Sequence, residues 1–511
     1  MYFLGIDLGT SGIKAGIITA QGELLASSYW ETKIISNKPG EMKQSIDDFL
    51  LNTLKIIKEV VQKAGISAKL IAGLAMDGQM GGVIGIDENY ESVTGLDMNL
   101  DMSSSKYSIF MHERLGINLT KITCGSPLNG QKILWWKDEH PGVYKQIRKF
   151  ITLNAYVAGR MASLESNKAF IDHTLLAFFG LESAADLSWS KEICSELDVD
   201  PEKLPRIVKS WEKIGVLTSE CAGICGLNQG TPIFAGCGDQ AAGFLGAGFI
   251  HKDTVFDVSG STSLISRYVD NFVPDVEKRT VMYIPSVKQG AYNAFVYING
   301  GGINLNWFVE NIIGKTDADS DKNKLYDILS AEAEDVPPGS DGILFIPYMG
   351  GRQCPFDTRI RGGWLGLNWG HKRGHLYRAI LEAIAYTNRQ GVERMREMFP
   401  EIKINQVYVT GGGAKNDLWN RIKSDVIGLP YESIEGYDAA IRGGCMIAAY
   451  GLGTYKDWET VITNMKNNKK ENDYYPDMNN YRKYSNYFDV YKNIFEKTLQ
   501  ETMHESMNVN K

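Results

Sequence analysis

Asp239 closes the apolar stretch of TPIFAGCGDQAAGFLGAG, Thr231 to Gly248, where a strand runs into small residues that deliver one carboxylate to the start of a helix. A carboxylate there is placed to take the proton of an alcohol. The positive end of a helix favours the charged form, so Asp239 is expected to stay ionised. Ordinary N-capping by an aspartate is the competing explanation of the same residue. GIDLGTSGIK, Gly5 to Lys14, packs glycines and hydroxyls into a strand turn whose backbone N–H groups can converge on an anion. Gly9, Thr10, Ser11 and Lys14 are its candidate phosphate contacts, against a plain hairpin turn. Asp7, just before the turn, can hold Mg2+ through water, because that ion keeps much of its hydration shell, or it can simply cap the turn. The Walker pattern GxxxxGK[ST] is absent. Ser259 to Ser263 offers the same donors, with Gly260, Ser261 and Thr262 as candidates, and GGGAKN, Gly411 to Asn416, is a third glycine loop at a helix start. Phosphoryl transfer depends on positioning and charge neutralisation, so donors for a triphosphate, a carboxylate for a metal and a base for a hydroxyl are the parts a kinase needs.

The elements that must position these groups follow an α/β pattern. Tyr2 to Thr19 reads as strand, turn, strand, and AQGELLASSYW continues the ribbon. From Ser45, apolar Ile46, Phe49, Leu50, Leu54, Ile57 and Val61 recur at helical spacing, with Ser45 and Asp48 as a capping pair. Leu70 to Met76 and Val83 to Asp87 read as strands flanking the loop DGQMGG. Thr254 to Tyr268 repeats the N-terminal plan, with Asp257 where Asp7 stands in the first hairpin, as two halves facing each other across a nucleotide require. Further on, Leu376, Ala379, Ile380, Ala383 and Ile384 mark a buried helix face. QVYVT, Gln406 to Thr410, feeds Gly411, Gly412 and Gly413, and a helix then runs to Ile427, with Gly428 and Pro430 as its stop. Asn154 to Trp211 is aperiodic and receives no chemistry. After Asp457 the chain resembles a solvated tail with one last helix around Tyr484 to Leu499. These divisions give domains 1–248 and 249–460 and a C-terminal segment 461–511.

A chain of 511 residues exceeds one compact core, and 43% apolar with 23% charged residues is ordinary globular composition. Net charge is −7 without a basic stripe, which excludes a nucleic-acid partner. The seven cysteines are scattered without a CxxC pair and read as reduced and buried, which places the protein in the cytoplasm. No basic leader precedes Tyr2 and no run approaches the ~18 apolar residues of a membrane span, so no membrane partner is expected. His112, His173 and His371 lack partners at metal-ligand spacing and receive no role.

Two longer patterns carry a resemblance. Gly125 to Glu139 holds Lys132, Ile133, Trp135 and Asp138, with Asn129 and Trp136 as departures; Gly362 to Glu382 holds Trp364, Gly366, Leu367, His375, Leu376, Ala379, Ile380 and Glu382. On these the chain resembles the FGGY carbohydrate kinases over nearly its whole length. The resemblance implies a two-domain actin-like ATPase (ribonuclease H-like) fold with an interdomain cleft, ATP and Mg2+ as cofactors, and Asp239 as general base. It implies phosphate contacts at Asp7 to Thr10 and Gly260 to Thr262, with Asp7 by the metal. Its adenosine pocket corresponds to Gly302, Asn306, Gly412, Gly413, Ala414 and Asn416. Within the family, Met76 to Asp87 is most similar to the xylulokinase group, with Gln79 and Met80 matching and Gly81 in place of a histidine. The Trp-Asn-Asp-x-Arg run of that group reads Asn99, Leu100, Asp101, Met102, Ser103 here, and only Asp101 survives. Gln79, Met80, Asp101, Asp239 and Gln240 are thus the expected sugar contacts. Trp135 and Trp136 read as packing. The expected substrate is a ketopentose such as xylulose, with glycerol, gluconate or another polyol as alternative acceptors and an actin-fold nucleotide-dependent binding protein as the alternative of another class. Beyond the sugar, the expected partner is at most a second copy of the chain in a homodimer.

Overall fold

The computed structural model describes the chain apart from residues 37, 39, 250–251, 315–321, 435–438, 467–469, 495–498 and 509–511. Tyr2–Leu8 (β1), Gly12–Thr19 (β2) and Leu24–Glu31 (β3) form the expected antiparallel ribbon. With Ile71–Gly78 (β4), Lys213–Val216 (β5) and Pro232–Gly238 (β6) they build a six-stranded sheet in the order β5-β6-β4-β1-β2-β3. β1, β4 and β6 run parallel. They are buried along almost their whole length, so they read as continuous apolar runs rather than alternating ones.

The second half repeats the plan. Thr254–Ser259 (β7) pairs antiparallel with Ser263–Val269 (β8) as β1 does with β2, and Met282–Pro285 (β9) and Tyr292–Ile298 (β10) extend that side. β7 runs parallel to Gln406–Thr410 (β11), as β1 does to β4, and Tyr431–Ile434 (β12) and Lys470–Tyr474 (β13) follow. The seven-stranded order is β9-β10-β8-β7-β11-β12-β13.

Helices cover both sheets. In Ile46–Ala64 (α1), the Ser45 hydroxyl accepts from the Asp48 N–H at 3.3 Å, and Gly65 ends the helix at φ 64°. Asp239–Gly246 (α2) leaves the end of β6. Arg373–Met398 (α3) is a 26-residue helix buried on most sides, and Asp417–Ile427 (α4) stops at Gly428 as expected. Ala439–Gly451 (α5) returns to the first half. A Cβ on Gly246 would run into the Ala439 carbonyl and one on Gly443 into Ala242, so two bare backbones let α2 and α5 cross in contact. Cys445 on α5 donates its Sγ–H to the Phe3 carbonyl of β1 at 3.3 Å.

The C-terminal stretch corrects the solvated-tail expectation. β13 joins the second sheet, and Met478–Ile494 (α6) buries Tyr484, Phe488 and Tyr491 against α3. These rings lie on one helix face between Lys and Asn residues that mask the period. Arg378 of α3 donates to the Tyr484 hydroxyl at 2.8 Å, and that hydroxyl donates to Glu382 at 3.0 Å. The helix is described as far as Ile494, the expected continuation towards Leu499 falls on residues 495–498, which lie outside those described, and Gln500–Asn508 forms a further helix, so it is not the last. All seven cysteines are free and buried. Among the described residues no helix is long and apolar enough to cross a membrane.

Candidate functional site

Three carboxylates stand at the carboxyl edge of three neighbouring strands, the edge where open α/β sheets place ligands. The register pairs Asp7 of β1 with Asp77 of β4, and Asp77 with Cys237 of β6, two residues before Asp239. Between Phe234 and Cys237 the β6 register shifts at Gly236, whose φ is 75° and whose Cβ would strike the Met76 carbonyl. This glycine bulge re-aims the end of β6. Asp239 is the first residue of α2 rather than its cap. Gly238 occupies the cap position without a side chain to offer, and the Asp239 carboxylate accepts from the adjacent Gln240 N–H at 2.7 Å. The Gly238 N–H is held by the Thr174 hydroxyl at 2.9 Å, and that hydroxyl donates to buried Asp172 at 2.6 Å. Asp239 is half-buried. Desolvation, and after it the negative charge of Asp7, push its pKa up to about 7, outweighing the Gln240 N–H and Lys14. Burial therefore overrides the helix end, and the expectation of a carboxylate ionised under all ordinary conditions is corrected.

Asp7 pairs with Lys14 across the hairpin at 3.4 Å. Asp77 is fully buried, and neither of its oxygens has a hydrogen-bond partner. Burial first, then the charges of Asp7 and Asp239, hold its carboxyl well above the usual range. Asp77, Asp172 and Thr174 were not among the expected site residues. The signal for Asp77 was an Asp ending an apolar run, IAGLAMD, just as Asp7 ends YFLGID; Asp172 and Thr174 lie in the aperiodic stretch and offer no such signal.

Each glycine-and-hydroxyl turn is closed by a bond from its first glycine, reaching three residues on in the first turn and two in the second. The Gly9 N–H donates to the Gly12 carbonyl and the Gly260 N–H to the Thr262 carbonyl, each at 3.0 Å. Thr10, Ser11 and Lys14 lie in or beside the first turn, and Ser261 in the second. The helix Gly302–Phe308 docks on the second turn, its Gly302 N–H donating to the Gly260 carbonyl at 2.8 Å and its Ile303 N–H to the Ser261 carbonyl at 2.9 Å. Gly412, Gly413 and Ala414 form the turn between β11 and α4, and a Cβ on Gly413 would stand 2.8 Å from that of Ser259. Asn416 caps α4, accepting from the Trp419 N–H at 2.9 Å, and donates to Ser330 at 3.0 Å; Asn306 accepts from the Tyr326 hydroxyl. The expected nucleotide residues of the second half thus converge at one end of its sheet. Asp257 does not copy the surroundings of Asp7. It is fully buried, pairs with fully buried Lys423 at 2.9 Å and accepts from the Ser259 hydroxyl at 2.8 Å. Lys423 also reaches Ser259 and lies 4.1 Å from the Trp419 ring centre.

Among the residues expected to contact sugar, buried Gln79 donates to Gln44 at 3.2 Å and accepts from the Thr10 hydroxyl at 3.4 Å, which ties its loop to the first turn. Met80 is buried against Gly238. A Cβ on Gly81 would lie 3.0 Å from the Asn99 side chain, so the two departures from the xylulokinase pattern face each other. Asp101 is buried and accepts N–H groups from Met42 at 2.8 Å and Ser103 at 2.9 Å, a loop-holding duty the sequence did not indicate. The Gln240 side-chain oxygen is buried without a partner. Lys132, on the helix Gly130–Glu139, is likewise buried with no hydrogen-bond partner, within the field of Asp97 and Asp101. Trp136 is buried and donates its indole N–H to Asp97, in keeping with packing. His112 stacks on Phe356 at 3.7 Å, and His173 is buried against the Ser286 carbonyl at 2.9 Å. Among the described residues no group of three or more His, Cys, Asp or Glu converges to hold a metal ion directly.

Residues 2–246 match the N-terminal domain of the FGGY family of carbohydrate kinases, and residues 267–452 match its C-terminal domain. The chain is 28% identical over 502 residues to the xylulose kinase of Bacillus subtilis (strain 168), covering 97% of each chain. It is 24% identical over 469 residues to the gluconokinase of Bacillus licheniformis, covering 90% of this chain and 89% of the other. The crystal structure of ligand-bound xylulose kinase from Lactobacillus acidophilus superposes with a TM-score of 0.85 at 22% identity, covering 98% of this chain and 99% of that one. The repeated sheet plan and the shared fold therefore agree with the actin-like expectation. With both domains matched in order and along most of the sequence, the chain belongs to the FGGY family of carbohydrate kinases.

Proposed function

We propose that the protein transfers the γ-phosphoryl group of ATP to a hydroxyl of a ketopentose such as xylulose, with Asp239 as general base. The observation that carries this reading is the half-buried Asp239 carboxylate, poised at about 7 at the carboxyl edge of the first sheet. As the sugar oxygen bonds to phosphorus and the bond to ADP breaks, Asp239 receives the hydroxyl proton. A base with a pKa near the working pH is matched to that transfer, which is worth roughly 10²–10⁴ in rate. Thr174 and Asp172 fix the backbone that aims it. The turns at Gly9 to Ser11 and Gly260 to Thr262 offer N–H and hydroxyl donors to the phosphates, and Gly302, Asn306, Gly412, Gly413, Ala414 and Asn416 offer the adenosine surface. Asp7 and the orphaned oxygens of Asp77 suit a hard, oxygen-seeking cation. Mg2+, when bound, spreads the charge of the transferring group. Gln79, Met80, Asp101 and Gln240 line the acceptor side, and the unpaired Gln240 oxygen is an acceptor for a sugar hydroxyl.

Similarity to xylulose kinases supports the ketopentose, and the cytoplasm is the compartment where such a substrate and ATP meet. Gluconate is the second reading. The gluconokinase relative and the unpartnered Lys132 ammonium near the sugar loop favour an acceptor carrying a carboxylate. The test is sugar-dependent ADP release with xylulose, ribulose, gluconate and glycerol. The proposal expects the highest kcat/KM with a ketopentose; turnover of gluconate alone would replace it with the second reading, and no sugar-dependent release would remove both.

A further inference from the structure

In the transfer itself Asp77 has no task, though its oxygens suit a cation. Its side chain is sealed from solvent, offers two oxygens with about four acceptor positions between them, and has only the like-charged Asp7 carboxyl beside it for a side-chain bond. Buried carboxylates without a partner are among the costliest arrangements in a protein, and nature keeps them where a cation or a proton completes them. Asp77 lies in register beside Asp7 on one side and beside Cys237, two residues before Asp239, on the other. Lys14, the cation whose field reaches Asp77, bonds Asp7 from the opposite strand of the hairpin. Asp7 retains 12% exposure of its side chain, and half-buried Asp239 is the more open member of the cluster.

We propose that Asp77 is a second carboxylate of the magnesium site, holding a hydrated Mg2+ jointly with Asp7 and binding it before the nucleotide arrives. The inference rests on the kinase reading, which supplies the need for the ion. Mg2+ is held by one or two carboxylates and keeps several of its waters, so a pair of aspartates bridged by water fits where no direct three-ligand group exists among the described residues. The ion would also offset the repulsion among Asp7, Asp77 and Asp239, which strand pairing brings together. A protonated Asp77 shared with Asp7 is the alternative that the experiment separates.

The experiment uses the full chain without nucleotide. Mn2+ binding is followed by loss of the free-ion electron paramagnetic resonance signal, and the melting temperature is followed against Mg2+, for wild type, Asp77→Asn, Asp77→Ser and Asp7→Asn. Wild type is expected to take up Mn2+ and to melt higher as Mg2+ is added. Both Asp77 variants are expected to bind Mn2+ about tenfold or more weakly, to melt higher than wild type in metal-free buffer, and to lose the Mg2+ response. Circular dichroism identifies a variant that fails to fold, and the other Asp77 substitution then carries the comparison. Mn2+ binding by either folded Asp77 variant equal to wild type, or no uptake by wild type at millimolar ion, overturns the proposal. Sugar-dependent ADP release on the wild-type preparation separates the two readings. Release together with Asp77-independent metal binding sinks this inference alone, whereas Asp77-dependent metal binding without release sinks the kinase reading alone.

Discussion

At the scale of single residues, Asp239 carries two opposing influences. The backbone N–H beside it favours charge, while desolvation and the neighbouring Asp7 disfavour it, and the latter win. As a base, Asp239 acts only when deprotonated, so kcat/KM for the sugar should fall on the acid side with a limb near pH 7. A flat profile from pH 5.5 to 8 would show that another group accepts the proton. The same shift has a stability consequence. The folded chain holds its proton up to about 7 while the unfolded carboxyl releases it near its ordinary value of 3.8, so folding loses stability as pH rises through that window. Asp239→Asn should therefore melt above wild type at pH 8, with the difference closing towards pH 4. Asp239, Asp7 and the glycine turns were legible because each follows an apolar strand and breaks its pattern. Asp77 was not legible as a site residue, because an aspartate opening the loop DGQMGG reads equally well as a turn-capping residue. The loop-holding bonds of Asp101 depend on Met42 and Ser103, which no spacing links to it.

Among the elements, α4 ties chemistry to stability. Lys423 and Asp257 neutralise each other in the core and hold Ser259, the residue before the turn at Gly260 to Thr262. Lys423→Met leaves Asp257 buried without its ion partner and should cost about 3–5 kcal/mol in denaturant unfolding. The KM for ATP should rise more than the KM for the sugar. Adding Asp257→Asn should recover most of the stability, and a double variant no better than the single would show that the two are not coupled. On α6, Phe488→Ala should cost about 3–5 kcal/mol, since the ring is buried against α3 under the Arg389 guanidinium at 4.4 Å; a loss within experimental error would restore the solvated tail. Caps made the helices at Ser45 and Gly428 easy to read. The burial of the C-terminal helix was obscured because its buried rings are tyrosines and phenylalanine set among lysines and asparagines, and the buried Arg378 and Glu382 that bind Tyr484 lie far away in sequence.

Across the whole molecule, the pair of hairpins at Asp7 and Asp257 announced two similar halves, and the sheets repeat one plan. How the halves join was not legible, because the junction is α5 returning from the second half to lie on α2 and β1, and no local pattern encodes a contact over such separation. Gly246→Ala forces a methyl group against the Ala439 backbone and should cost about 1–3 kcal/mol. Because α2 begins with Asp239, displacement of that helix should also lower kcat; a destabilised variant with unchanged kcat would mean the crossing serves stability alone.

The central claim is that Asp239 takes the proton of the acceptor sugar. Its most direct test is single-turnover phosphoryl transfer by Asp239→Asn, with ATP binding measured on the same sample. The account predicts a loss of roughly 10²-fold or more in transfer rate with ATP affinity within a few-fold of wild type. Transfer by Asp239→Asn at a rate close to wild type would contradict it.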